Sequence, residues 1–169
     1  MKKQKPNKKI FSELIIRNQG LIHKITLIYI DNPADREDLF QEICLQLWKS
    51  YPNFRQESKF STWMYRVALN TAISNVRKQK TRVVCEPLAN YRQVEAEPDE
   101  SYDNVLQLYA AVSKLNQIDK AIILLWLEEK SYEEIASITG LSKSNVSVKL
   151  MRIKKKLEEM ISKTIEEKS

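Results

Sequence analysis

At 169 residues with 43% hydrophobic content, the chain can build one domain or two small ones with cores of their own. Only 2 glycines and 5 prolines leave few tight turns, which argues for helices throughout and against a sheet protein. A net charge of +6 favours a polyanionic partner, and two isolated cysteines, Cys44 and Cys85, offer neither a metal cluster nor a disulfide framework.

Residues 1–9 hold five lysines and read as a basic tail. Residues 10–30 read as one or two helices, with Phe11, Leu14, Ile15, Leu21, Ile22, Ile25 and Ile28 at helical spacings and Gly20 as the point where a second helix would begin. The sequence Asp31-Asn32-Pro33 stops that element, and Asp35 opens another helix that runs to about Tyr51-Pro52. On it Leu39, Ile43 and Leu47 line the buried side. Asp38, Gln41 and Glu42, spaced i, i+3, i+4, share an outward face that Asp35 borders. Two readings of that face stay open. It is either a solvated surface with negative charge near a helix N-terminus, or a docking surface for a protein with basic residues, since it would repel DNA.

After a short polar connection over 53–59, a third helix runs from Phe60 to about Lys80. Tyr65, Leu69, Ala72, Ile73 and Val76 take one side, and Arg66, Asn70, Ser74 and Arg77 the other. Such residues can bond base edges and pair with phosphates, while an aromatic such as Trp63 can stack on an exposed base or simply fill the core. The preceding segment Phe54-Arg55-Gln56-Glu57-Ser58-Lys59 is polar enough to hold an unstacked nucleotide. These elements make a first helical domain over 10–80.

Residues 81–104 carry Pro87, Pro98 and six acidic against two basic residues, with no helical apolar stripe. An acidic flexible linker is expected there, spanning 81–101. A second domain over 102–163 begins with a helix at 102–114 and a nearly all-apolar, hence buried, helix at 118–128. Residues 131–157 then read as a helix-turn-helix. Ser131 and Glu134 form a capping box, Gly140 permits the turn, and Ser142 caps the second helix. Ala136 lets the two helices approach, and Leu141 and Val146 fill the angle between them. From Ser142 to Lys156 the second helix has six basic residues and no acidic one, which suits base edges first and phosphates second. The charged tail from Glu158 is expected to fray.

The longest apolar run, 121–127, is too short to span a bilayer, and no signal peptide precedes Ile10. A cytoplasmic, non-enzymatic protein is expected. There is no phosphate-binding glycine loop and no nucleophile–histidine pair, no cofactor or metal is implied, and the lone His23 reads as core.

Three blocks in order, DREDLFQEICLQLWKSY, FRQESKFSTWMYRVALNTAISNVRK and LNQIDKAIILLWLEEKSYEEIASITGLSKSNVSVKLMRIKKKL, resemble an extracytoplasmic-function sigma factor of the sigma-70 superfamily. The resemblance implies two all-α domains, sigma-2-like and sigma-4-like, in a factor that binds core RNA polymerase and directs initiation at bacterial promoters. It assigns Glu37, Asp38, Gln41 and Glu42 to the polymerase, in favour of the docking reading. It assigns recognition and melting of the −10 element to Arg55, Ser58, Lys59, Trp63, Arg66, Asn70, Ser74 and Arg77. The −35 element falls to Ser142, Lys143, Ser144, Asn145, Ser147, Lys149 and Arg152, and the resemblance admits an anti-sigma factor as a further partner.

The chain departs from the family pattern twice. Arg66 and Val67 stand where primary sigma factors place a tryptophan pair, which weakens melting by an aromatic wedge. Asn116 follows Leu115 where a proline is frequent. A helix-turn-helix repressor acting without polymerase would account for the last domain alone. It would leave the Asp38 face and the helix after Phe60 unexplained.

Overall fold

The computed structural model describes residues 7–81 and 100–169, and these contain helices and no strand. Nearly all of the expected linker, most of the basic tail, and Cys85 lie outside the described residues. Three long helices form the first unit: α1 (Lys8–Tyr29), α2 (Pro33–Ser50) and, after a 3-10 turn at Tyr51–Asn53, α3 (Phe60–Thr81). The second unit holds α4 (Glu100–Ser113), α5 (Gln117–Leu127), α6 (Tyr132–Thr139) and α7 (Lys143–Lys168).

The core of the first unit stacks Ile22, Ile25 and Ile28 of α1 on Leu39, Ile43 and Leu47 of α2 and on Met64, Ala68 and Ala72 of α3, each at most 1% exposed. Burial of each large aliphatic side chain contributes about 1.5–3 kcal/mol before chain entropy is counted. The small alanines of α3 bring its backbone close to α1 and α2. The buried stripe of α3 runs through Met64, Tyr65, Ala68, Leu69 and Ala72, while Ile73 and Val76 are only half-buried. The expected stripe was therefore displaced toward its C-terminal members.

One open alternative is decided and two other expectations are corrected. Gly20 does not break α1, whose 22 residues are continuous, because one glycine costs less than the packing on either side of it contributes. The cap of α2 is Asn32, whose side chain accepts from Ala34 N at 2.8 Å, so the helix begins at Pro33 rather than Asp35. His23 is not core. It is exposed on α1, stacked on the Phe40 ring with centroids 4.6 Å apart.

In the second unit, α5 buries Ala121 through Leu125 and receives Ile135 and Ile138 from α6 and Val146, Leu150, Ile153 and Leu157 from α7. Asn116 accounts for the missing proline. Its Oδ1 accepts from Asp119 N at 2.9 Å and its Nδ2 donates to Asp119 Oδ2 at 2.8 Å, which caps α5 by hydrogen bonds instead of ring rigidity. The tail does not fray at Glu158. The apolar spacing of α7 continues through Met160 and Ile161, which line a groove with Leu106, Ala110 and Ala111 of α4, and the helix runs to Lys168.

The two units touch. α1 meets α4 and α5, and α3 meets α6.

Candidate nucleic-acid interface and partner surface

On α2, the buried positions Leu39, Ile43 and Leu47 turn Glu37, Asp38 and Gln41 outward, and all three are exposed. Glu42 is half-buried, and its Oε1 accepts from Gln46 Nε2 at 2.8 Å. Across from it, α3 presents Asn70 and Ser74. Asp38, Glu42 and Gln46 of α2 and Asn70, Thr71, Ser74, Asn75 and Lys78 of α3 line one groove of about 570 Å³. Two sets of residues that sequence reasoning assigned to different partners thus adjoin. The carboxylates of Asp38 and Glu42 disfavour a phosphate in this groove, whereas the amides and hydroxyls can bond an uncharged base edge.

The segment before α3 is built on an aromatic floor. The Phe54 ring lies 5.7 Å from Phe60 and 5.1 Å from Trp63, and Tyr51 lies 6.3 Å from Trp63, measured between centroids. Such contacts contribute about 0.5–1.5 kcal/mol each beyond burial. They anchor a loop in which Arg55, Gln56, Glu57, Ser58 and Lys59 are all exposed. Gln56 adopts φ 58°, which turns the chain sharply there. Trp63 is half-buried in this floor, between the two roles its composition allowed. Along α3, Asn70, Ser74 and Arg77 are exposed on one side. Arg66 is half-buried, and its Nη2 is engaged on α6, donating to Ser137 O at 3.2 Å and to Ser137 Oγ at 2.9 Å.

The helix-turn-helix follows its sequence signals closely. Ser131 and Glu134 form the reciprocal capping box. The hydrogen bond from Ser131 N holds the Glu134 carboxyl below its usual range. Gly140 ends α6 in the left-handed region at φ 76°, where a side chain would cost about 1–2 kcal/mol. Ser142 caps α7 by accepting from Asn145 N at 3.2 Å. Beyond the cap, Lys143, Ser144, Asn145, Ser147 and Arg152 are exposed, and Val146 is fully buried against α5 and α6. This places the polar head of α7 outward at the position from which such helices enter a major groove.

Sequence reasoning missed the counter-charges of this helix. Lys143 is ion-paired with Glu133 of α6, and Lys149 Nζ lies 3.5 Å from Asp119 Oδ1 of α5. The hydrogen bond from Lys143 is the largest influence that holds the Glu133 carboxyl below its ordinary value. Glu133 and Asp119 sit on helices that the sequence separates from their partners by ten and thirty residues, so no local pattern signals the pairing. Lys154, another of the six basic residues of this helix, rests with its Nζ 3.8 Å from the centroid of the Trp126 ring.

Comparison with known proteins matches this geometry to one family. Sigma-70 region 2 matches residues 14–82, and Sigma-70 region 4 matches residues 106–157. The ECF RNA polymerase sigma-E factor of Haemophilus influenzae is 30% identical, over 94% of this chain and 90% of that protein. The RNA polymerase sigma factor SigV of Bacillus subtilis is 27% identical, over 96% and 98%. Among solved structures, the sigma factor RpoE of Bartonella quintana, determined in complex with the anti-sigma factor NepR, superposes with a TM-score of 0.71. It is 20% identical and covers 91% of this chain and 98% of that one.

An all-α pair of units ending in a basic helix-turn-helix is the build of a promoter-recognising initiation factor. The chain belongs to the sigma-70 family, in its extracytoplasmic-function group. No described helix is long and apolar enough to cross a membrane.

Proposed function

We propose that this sigma factor docks on core RNA polymerase through the α2 face of Glu37, Asp38, Gln41 and Glu42. The −10 element is then read and opened by the Arg55, Ser58, Lys59 loop and by Trp63, Arg66, Asn70, Ser74 and Arg77. The −35 element is read by Ser142, Lys143, Ser144, Asn145, Ser147, Lys149 and Arg152. The factor works in the cytoplasm and performs no covalent chemistry, since binding energy alone selects the promoter and holds the strands apart. An anti-sigma factor is a further partner, as in the solved Bartonella quintana complex. The boundaries we assign are 10–80 for the first unit, continued by α3 to Thr81, and 102–163 for the second, continued by α4 back to Glu100 and by α7 to Lys168.

One observation carries the reading. An acidic, exposed α2 face stands beside a polar α3 face, while a separately capped basic helix projects from the other unit. A protein that only bound duplex DNA would have no use for the carboxylates, which repel phosphate. Reversing Asp38 and Glu42 to Lys should abolish co-purification with core polymerase and leave helical content unchanged. A folded double variant that still binds polymerase would remove the basis for this assignment.

A further inference from the structure

The head of α7 has an apolar centre that an assignment to polar side chains alone leaves out. Val146, Leu150, Ile153 and Leu157 are buried and fix the inward side of the helix. At about 100° per residue, Val148 points roughly 170° away from the middle of that line, almost straight outward. It is 43% exposed, and Met151, about one turn along, is 67% exposed. Ser144 and Arg152, four residues to either side of Val148, are exposed beside it.

The lysines fall on the flanks instead. By the same step, Lys143 and Lys149 lie within about 70° of the buried line, one on each side of it. Both turn back onto the protein, Lys143 to Glu133 and Lys149 to Asp119, and Lys154 lies over the Trp126 ring. Single apolar residues on a surface are common and carry nothing by themselves. These two differ because they stand at the centre of the outward side of a helix-turn-helix's second helix, where side chains reach deepest into a major groove. A valine or methionine there leaves a base donor or acceptor unpaired, at a cost. The apolar group that the bases present in that groove is the C5-methyl of thymine.

We infer that Val148 and Met151 are specificity-determining residues that read thymine C5-methyl groups in the −35 element. This rests on the sigma-factor reading above. The apolar pair selects thymine by contact and by leaving the polar edges of other bases unpaired, while Ser144 and Arg152 supply hydrogen bonds on either side. Val148 and Met151 lie three positions apart on one side of the helix, so they meet different bases.

The test selects duplexes with the full chain from a pool randomised over the −35 region, once with core polymerase and once without. Each thymine of the enriched sequence, on either strand, is then replaced by deoxyuridine, which removes the methyl group and leaves pairing unchanged. The wild-type chain should lose about fourfold in affinity at one or two thymines, the effect of about one buried methyl group. Val148→Ala, with unchanged helical content, should bind the thymine duplex about fourfold more weakly and become indifferent to deoxyuridine at one of those positions. Met151→Ala should do the same at another. No enrichment at all, an enriched sequence without thymine, a wild-type chain indifferent to every deoxyuridine, or alanine variants that keep the full sensitivity would each overturn the inference. The sigma-factor reading fails separately. Enrichment that needs no polymerase, with no polymerase-dependent initiation from the enriched duplexes, would overturn that reading, while deoxyuridine on the same duplexes still decides whether Val148 and Met151 read methyl groups.

Discussion

At the scale of single residues, the notable economy is that cations assigned to DNA already have partners. Lys143 faces Glu133, Lys149 faces Asp119, and Arg66 faces Ser137. The Lys143–Glu133 pair is fully exposed, so it does little for stability. Because the Glu133 carboxyl is held low, whatever the pair contributes is present at neutral pH and is lost as pH falls through the lowered folded-state value. If Lys143 contacts the −35 element as proposed, the pair's larger effect is on binding, since DNA then competes with Glu133 for it. Glu133→Gln should therefore tighten −35 binding several-fold and steepen the log–log salt dependence by about one unit, provided the freed lysine meets a phosphate. Filter-binding titrations at two salt concentrations test this. Tighter binding that discriminates better between −35 sequences, with no change of slope, would mean that Lys143 reads a base instead.

At the scale of elements, caps and breaks set the helix ends, and one residue is out of place. Gly20 lies inside α1, where a Cβ would meet nothing within 4 Å, and its φ is not in the left-handed region. It is therefore a pure loss of helix propensity. Gly20→Ala should stabilise the protein by about 0.5–1 kcal/mol, seen as a higher denaturation midpoint with an unchanged slope. A lower midpoint would show that α1 needs flexibility there. Gly140 is the opposite case. Its left-handed φ of 76° makes the turn of the helix-turn-helix, and alanine there would strain the backbone.

At the scale of the whole molecule, the packing of two units makes single substitutions act twice. Asn70 is exposed and outside the contacts between the units, so Asn70→Ala should lower open-complex formation more than duplex binding. Permanganate reactivity of −10 thymines reads the first, and equal loss of both would count against a melting role. Arg66→Ala should release the contact to Ser137 and, with it, the DNA contact proposed for Arg66, so its open complexes should also fall with polymerase present. Two tyrosines mark how firmly the interface excludes water. Tyr29 and Tyr65 are 6% and 2% exposed, and burial raises both hydroxyl pKa values well above the ordinary range. Lys120 over the Tyr29 ring is itself buried, which pushes its pKa down.

Much of this was legible in the residues alone, because the signals are local. The capping box at Ser131, the turn at Gly140, the apolar stripe of α2 and the outward face of Asp38 and Gln41 each depend on residues within about one helical turn of one another. The hydrogen bonds and spacings that enforce them are written in consecutive sequence. What escaped has the opposite character. The exposure of His23, the half-burial of Trp63, the extension of α7 to Lys168, the ion pairs of Lys143 and Lys149, and the contact of Arg66 with Ser137 all depend on which helices lie side by side. A helix shows the same periodicity whether its flank meets water, a ring or a second unit. Packing alone selects among these, and it does so through contacts between residues up to 104 positions apart. The sequence by itself determined the order of the helices, the caps of the helix-turn-helix and the family the chain belongs to. Only the tertiary structure decided which of the candidate cations are already held, because a charge finds its partner through space rather than along the chain.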